Sequence, residues 1–206
     1  MLDYTHPDVC FALDTVQQAA RLCQRIQAGM AMLNLTKSDF SPVTVADYAV
    51  QAFVGQALSV HDPEAVLVGE ENAGALRQDS GRKVLDVVVQ FVAKTIGEVT
   101  REEVLAWIDR GGAEAADRYW TLDPVDGTKG YLRGGQYAVA LALLEHGEVK
   151  LGVLGCPNLG ENCAPVAWGC GAILVGQRGE GAAYAMMDTA PWEFKPLHVS
   201  DCRDAA

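Results

Sequence analysis

The hydrophobic period of this chain changes once, at Gly111-Gly112, and that change limits the fold more than any other feature. Before it, apolar residues step by three or four. Val9, Leu13, Val16, Ala20, Cys23, Ile26 and Met30 define an amphipathic helix over 9–30. Thr44, with Asp47 three residues on, reads as an imperfect capping box opening a second helix with a stripe of Val50, Phe53, Val54, Ala57 and Leu58. Val66-Leu67-Val68 reads as a short buried strand. A third helix runs over 82–96 and stops at Gly97, and Thr100 with Glu103 caps a fourth through Ile108. After the glycine pair the pattern turns strand-like, at 119–122, then 137–145 and 149–154 joined at His146-Gly147, then 173–175 and 182–184 around Arg178-Gly179. Helices followed by hairpin-connected strands predict an α+β fold with a mainly antiparallel sheet. The segment 188–192 is the one stretch that reads as a linker.

Charge narrows the function classes. The net charge is −11, from 27 acidic and 16 basic residues, so the chain is not built to neutralise a nucleic-acid backbone. If it handles phosphate, bound cations must supply the positive charge locally. The longest strongly apolar run, 137–144, is far short of the ~20 residues of a membrane span. No apolar core of a signal peptide follows Met1. Cys10, Cys23, Cys156, Cys163, Cys170 and Cys202 form no CxxC and have no histidine at zinc-finger spacing. They read as reduced thiols of a cytoplasmic protein without membrane or nucleic-acid partners.

The chemistry is concentrated in Asp123-Pro124-Val125-Asp126-Gly127-Thr128. Proline favours a tight turn that aims Asp123 and Asp126 to one side and bares the Val125 carbonyl between them. Gly127 permits close backbone approach, and Thr128 opens a short helix whose free N–H groups suit a phosphate. Hard oxygen ligands beside a phosphate cradle suit Mg²⁺. Taken alone, the motif is more often a plain turn with a helix cap. Two other carboxylates bear on this: Glu70, which follows a buried strand as Asp123 does, and Asp47. Each read singly is an ordinary turn or first-turn acid. No phosphoaspartyl DxD, calcium loop, GxxxxGK[ST], HExxH or GxSxG competes.

Four segments in order resemble one family. They are Ser41-Pro42-Val43-Thr44-Val45-Ala46-Asp47, Val68-Gly69-Glu70-Glu71, Trp120-Thr121-Leu122-Asp123-Pro124-Val125-Asp126-Gly127-Thr128-Lys129-Gly130, and Leu151-Gly152-Val153-Leu154-Gly155-Cys156-Pro157-Asn158. Together they resemble the lithium-sensitive, magnesium-dependent phosphatases of the inositol monophosphatase superfamily, over residue 8 to about 200. SPVT, DGTKG and GCPN resemble its 3'(2'),5'-bisphosphate nucleotidase branch. The resemblance implies a layered sandwich and at least two Mg²⁺. Glu70, Asp123 and the Val125 carbonyl would hold the first ion. Asp123 and Asp126 would share the second. Asp47 and Thr128 would orient and deprotonate the attacking water, and Gly127 with Thr128 would receive the phosphate. The implied reaction is removal of the 3'-phosphate of adenosine 3',5'-bisphosphate, or of a sulfated form, to give AMP.

Family members continue into a second α/β domain with one more metal-binding Asp in a Trp-Asp segment. No Trp-Asp dipeptide occurs here. The expectation is therefore an N-terminal domain over 1–195 and the truncated start of a second over 196–206, with His198 in a strand and no substrate role. An inositol phosphate substrate and a non-catalytic short form are the alternatives. Oligomeric state is not legible.

Overall fold

Seven strands, β1 to β7, lie side by side in sequence order in the computed structural model, which describes residues 2–32, 41–161, 164–166, 169–189 and 191–198. The sheet is built from β1 (Leu67–Val68), β2 (Arg118–Asp126), β3 (Ala138–Glu145), β4 (Glu148–Cys156), β5 (Ala172–Gln177), β6 (Gly181–Met186) and β7 (Lys195–Leu197). β1 and β2 are parallel, and every later neighbour is antiparallel. Helices α1 (Pro7–Met32), α2 (Pro42–His61), α3 (Arg82–Ile96), α4 (Arg101–Asp109) and the short α5 (Thr128–Arg133) complete the α+β fold.

All seven residues of the first helical stripe are buried, and α1 lies against β3, β4 and β5. α2 is buried on nearly all sides because it packs between α1, α3, α4 and β2. A helix apolar all round belongs in an interior. Its stripe is wider than the sequence suggests: Val45, Ala46, Ala49 and Ala52 are buried too, whereas Ala57 is only partly covered. α3 and α4 fall where the sequence places them, with Gly97 ending the one at φ 98° and a Thr100–Glu103 capping box opening the other.

Both hairpins form. β3 and β4 turn at His146 (φ 51°) and Gly147 (φ 78°), two left-handed positions that match a type I′ turn. Along β3, Val139, Leu141 and Leu143 face the helices and are buried, while Ala138, Ala140 and Ala142 face the other way and are partly covered. The helix-free side of the sheet carries a cleft of about 630 Å³ lined mainly by small and apolar residues of β3 to β6.

Four expectations need correction. Ser41, not Thr44, caps α2: its hydroxyl accepts from the Val43 amide, and Pro42 occupies the first turn, where a missing N–H costs nothing. Asp47 therefore sits in the second turn of the helix, not in a capping box. Asp123 to Asp126 is not a free tight turn but the end of β2, with a shift of register against β3 between the two acids. The segment 188–192 joins two strands of one sheet, and Phe194 beyond it stacks on Tyr4 at 4.3 Å. β7 ends at Leu197, so His198 lies just past a strand. Cys10, Cys23 and Cys170 are thiols. Residues 37–40, Cys163, Cys202 and the segment 199–206 lie outside the described residues.

Candidate metal and phosphate site

The parallel pairing of β1 with β2 brings the acids together. Val68 is in register with Thr121, and Glu70 and Asp123 each follow by two residues. The two carboxylates therefore leave the same end of adjacent strands, at one rim of the open cleft. The register shift that follows takes Pro124 and Val125 off the ladder. The Val125 amide, two residues on, pulls the Asp123 carboxyl down. Val125 itself is buried, and Asp126 is exposed one residue on.

Asp47 approaches from α2, which packs on β2. Burial first, and then Glu71, Glu70 and Asp123, push its carboxyl up to about 7. Asp123 is raised by burial and by Glu70 and Asp126, against the opposing pull of the Val125 amide. Glu71 is raised by burial, and the Tyr48 hydroxyl pulls it down in part. Five carboxylates thus share one region. Among the described residues, no Lys, Arg or His forms an ion pair with any of them.

Gly127 begins the other side of the site. Its φ of 88° is a left-handed position that admits glycine without strain, and it turns the chain from β2 into α5. α5 packs against α2 and is anchored by Tyr131, whose hydroxyl donates to the Cys23 carbonyl at 3.2 Å and whose own carbonyl accepts from Gln27. Gly130 is needed for closeness: a Cβ there would run into the Gln136 carbonyl. Thr128 is exposed at the first position of α5 and makes no side-chain hydrogen bond to Asp47 among the described residues. Asn158, in the GCPN segment, ties the end of β4 to the loop after α5 by donating to Gly135 at 2.6 Å.

The donor set fits a hard divalent cation: all oxygen, mostly anionic, and lacking basic partners. The carboxylates are near enough to raise one another's pKa, yet among the described residues no three acidic, His or Cys side chains are gathered onto one point as a ligand set. The raised Asp47 and Asp123 record a crowding of negative charge that a cation would relieve. Residues that sequence reasoning left without a role are Tyr48, Gln51, Glu71 and Asn158. The only signal for Gln51 was a polar residue inside the apolar stripe of α2.

A 3'(2'),5'-bisphosphate nucleotidase of Oryza sativa is 42% identical over 165 residues, covering 74% of this chain and 46% of that protein. The 3'(2'),5'-bisphosphate nucleotidase 1 of Arabidopsis thaliana is 46% identical over 154 residues, covering 68% and 44%. That of Emericella nidulans is 37% identical over 195 residues, covering 88% and 55%. The chain spans about half the length of the curated relatives it matches. Among solved structures, CysQ from Bacteroides thetaiotaomicron, a bacterial member of the inositol monophosphatase family, superposes with a TM-score of 0.51 at 19% identity, covering 98% of this chain and 61% of that one. The suhB protein of Bartonella henselae gives 0.53 at 19%, covering 94% and 54%; both likenesses concern the fold. Residues 9–205 match the inositol monophosphatase family profile, and the chain belongs to that family.

Proposed function

We propose that this chain carries the metal-binding half of a Mg²⁺-dependent phosphomonoester hydrolase acting on a nucleotide bisphosphate, with the 3'-phosphate of adenosine 3',5'-bisphosphate as the group removed. The observation that supports it most is the equal offset of Glu70 and Asp123 from a parallel strand pair, facing Asp47 without a basic partner among the described residues. The relatives named above are bisphosphate nucleotidases, and that supports the nucleotide over an inositol phosphate.

Glu70, Asp123 and the Val125 carbonyl would hold one Mg²⁺, and Asp123 with Asp126 a second. Bound there, the ions would supply Lewis-acid activation of water and neutralise charge on the phosphoryl group. Asp47 would take the proton from the attacking water. The push up to about 7 belongs to the cation-free chain; bound cations would lower it and leave Asp47 ionised, as a proton acceptor must be. The Thr128 hydroxyl would orient the water, with Gly127 beside it on the phosphate. The water oxygen bonds to phosphorus as its proton passes to Asp47, the ester P–O bond breaks, and the departing 3'-oxygen takes a proton from solvent water to leave as the alcohol of AMP.

The test is phosphate release with and without Mg²⁺, on adenosine 3',5'-bisphosphate and on an inositol monophosphate. It should use the purified chain and the same chain extended by the remaining length of the Oryza sativa relative. Mg²⁺-dependent release from the nucleotide in either form supports the proposal. Release from the inositol phosphate alone, or release independent of divalent cation, overturns it.

A further inference from the structure

The Gly69-Glu70-Glu71 segment is irregular backbone, so something must hold it still if Glu70 is to serve as a ligand. Gln51 does so. Its side chain is fully buried, one helical turn beyond Asp47 on α2. Its Nε2 donates to the Glu71 carbonyl at 2.6 Å and to the Ile108 carbonyl at 2.7 Å, while its Oε1 accepts from the Glu71 amide at 2.9 Å. One carboxamide therefore clasps both backbone groups of Glu71 and also caps an end carbonyl of α4. The fit is close: a Cβ on Gly69 or on Gly111 would collide with this carboxamide. The opposite side of the segment is fixed by the Gly69 amide donating to the Gly111 carbonyl at 2.7 Å and the Ala73 amide to Asp109 at 2.9 Å.

We infer that Gln51 is a positioning residue which sets Glu70 at a fixed place relative to Asp47, coupling the cation ligand to the proton acceptor through one face of α2. The inference rests on the metal-dependent reading above. A buried amide satisfied at both ends is not required by packing, because a leucine of similar volume would fill the space. What leucine cannot do is hold Glu71, whose amide and carbonyl it would leave unpaired at a part-buried place.

Two readouts separate positioning from stability: Mn²⁺ affinity by titration calorimetry, and hydrogen exchange at the Glu71 amide. Four proteins are compared, namely the parent chain, Gln51→Leu, Gln51→Glu and Val175→Ala. The last opens a cavity in the buried core under β5, where Val175 pairs with Val153 and lies four strands from β1. Gln51→Leu is expected to weaken Mn²⁺ binding by about 10–100-fold, as losing an outer partner of a metal ligand typically does. It should also speed exchange at Glu71 while β3 to β5 stay protected. Gln51→Glu, whose buried protonated acid keeps the acceptor and one donor, should fall between, and it carries the test if the leucine variant does not fold. Val175→Ala should leave Mn²⁺ affinity unchanged. Faster exchange at Glu71 with parental Mn²⁺ affinity, or equal loss in Gln51→Leu and Val175→Ala, overturns the inference. Absence of Mn²⁺ binding by the parent chain would strike the metal reading instead. Exchange at Glu71 then decides alone: parental protection in Gln51→Leu would refute the positioning role.

Discussion

Raising the pH in the absence of divalent cation should destabilise this protein, and Mg²⁺ should reverse the loss. The carboxyl of Asp47 has an ordinary value of 3.8 and stands at about 7 in the folded chain. Between those values the folded state keeps the proton and the unfolded state has released it. The unfolded state then binds fewer protons, so stability falls as pH rises, from near 4 until the folded carboxyl has ionised above 7. Taken at face value the rise is worth ~4 kcal/mol, at 1.36 kcal/mol for each tenfold change in proton affinity. Asp47 is only partly buried, and water screens roughly half of that, leaving ~2 kcal/mol. About a third of the effect is spent below pH 5, and for a chain of this size each kcal/mol moves Tm by about 2–4 °C, so Tm should drop by about 3–5 °C between pH 5 and pH 8. Asp123 and Glu71 are raised as well and steepen the same slope. The assay is thermal unfolding by circular dichroism from pH 5 to pH 8 in EDTA, repeated with Mg²⁺ and with Asp47→Asn. The asparagine variant should flatten the slope, and Mg²⁺ at pH 8 should restore Tm. A Tm that is flat or rising toward pH 8 in EDTA, or an unchanged slope in Asp47→Asn, would refute the reasoning.

Three further outcomes follow from the same geometry. Asp123→Asn removes charge where two cations would meet, and should abolish Mg²⁺-dependent phosphate release by the extended chain while urea unfolding stays close to parental; wild-type turnover would rule out the shared-ligand role. Thr128→Ala should lower kcat by about 10²–10⁴-fold, the usual worth of a positioned proton-transfer group, with metal affinity little changed. Thr128→Ser should keep much of the rate, and equal damage from both would point to the methyl group. Gly130→Ala drives a Cβ into the Gln136 carbonyl and should cost about 1–3 kcal/mol in urea unfolding, with α5 displaced; an unperturbed midpoint would contradict that close packing.

What the sequence disclosed and what it withheld divide along physical lines. Local rules were enough for α3 and α4, because Gly97 and the Thr100–Glu103 pair end and begin helices by their own backbone chemistry. They were enough for the hairpin at His146-Gly147, where the turn dictates the pairing. They failed at Thr44, where two caps compete three residues apart and the proline after Ser41 decides. They also failed at Asp123-Pro124, where turn chemistry is real but is absorbed into a strand end by pairing with β3, a partner remote in sequence.

The site shows the same division more sharply. Its acids could be named from the motif, but nothing local shows that residues 70 and 123 share a rim, because that follows from the parallel register of a two-residue strand. Periodicity could not find Gln51 either, since its partners lie 20 and 57 residues away. The arrangement has a consequence for how the site can work. Asp47, the proposed proton acceptor, rides on the buried helix α2, whereas Glu70 rides on irregular backbone tied to that helix by the Gln51 side chain. Glu70 depends on the Gln51 clasp on one side of its segment and on the Gly69 and Ala73 hydrogen bonds on the other. Loss of the clasp should therefore be felt in cation affinity before it is felt at Asp47, and that order can be observed.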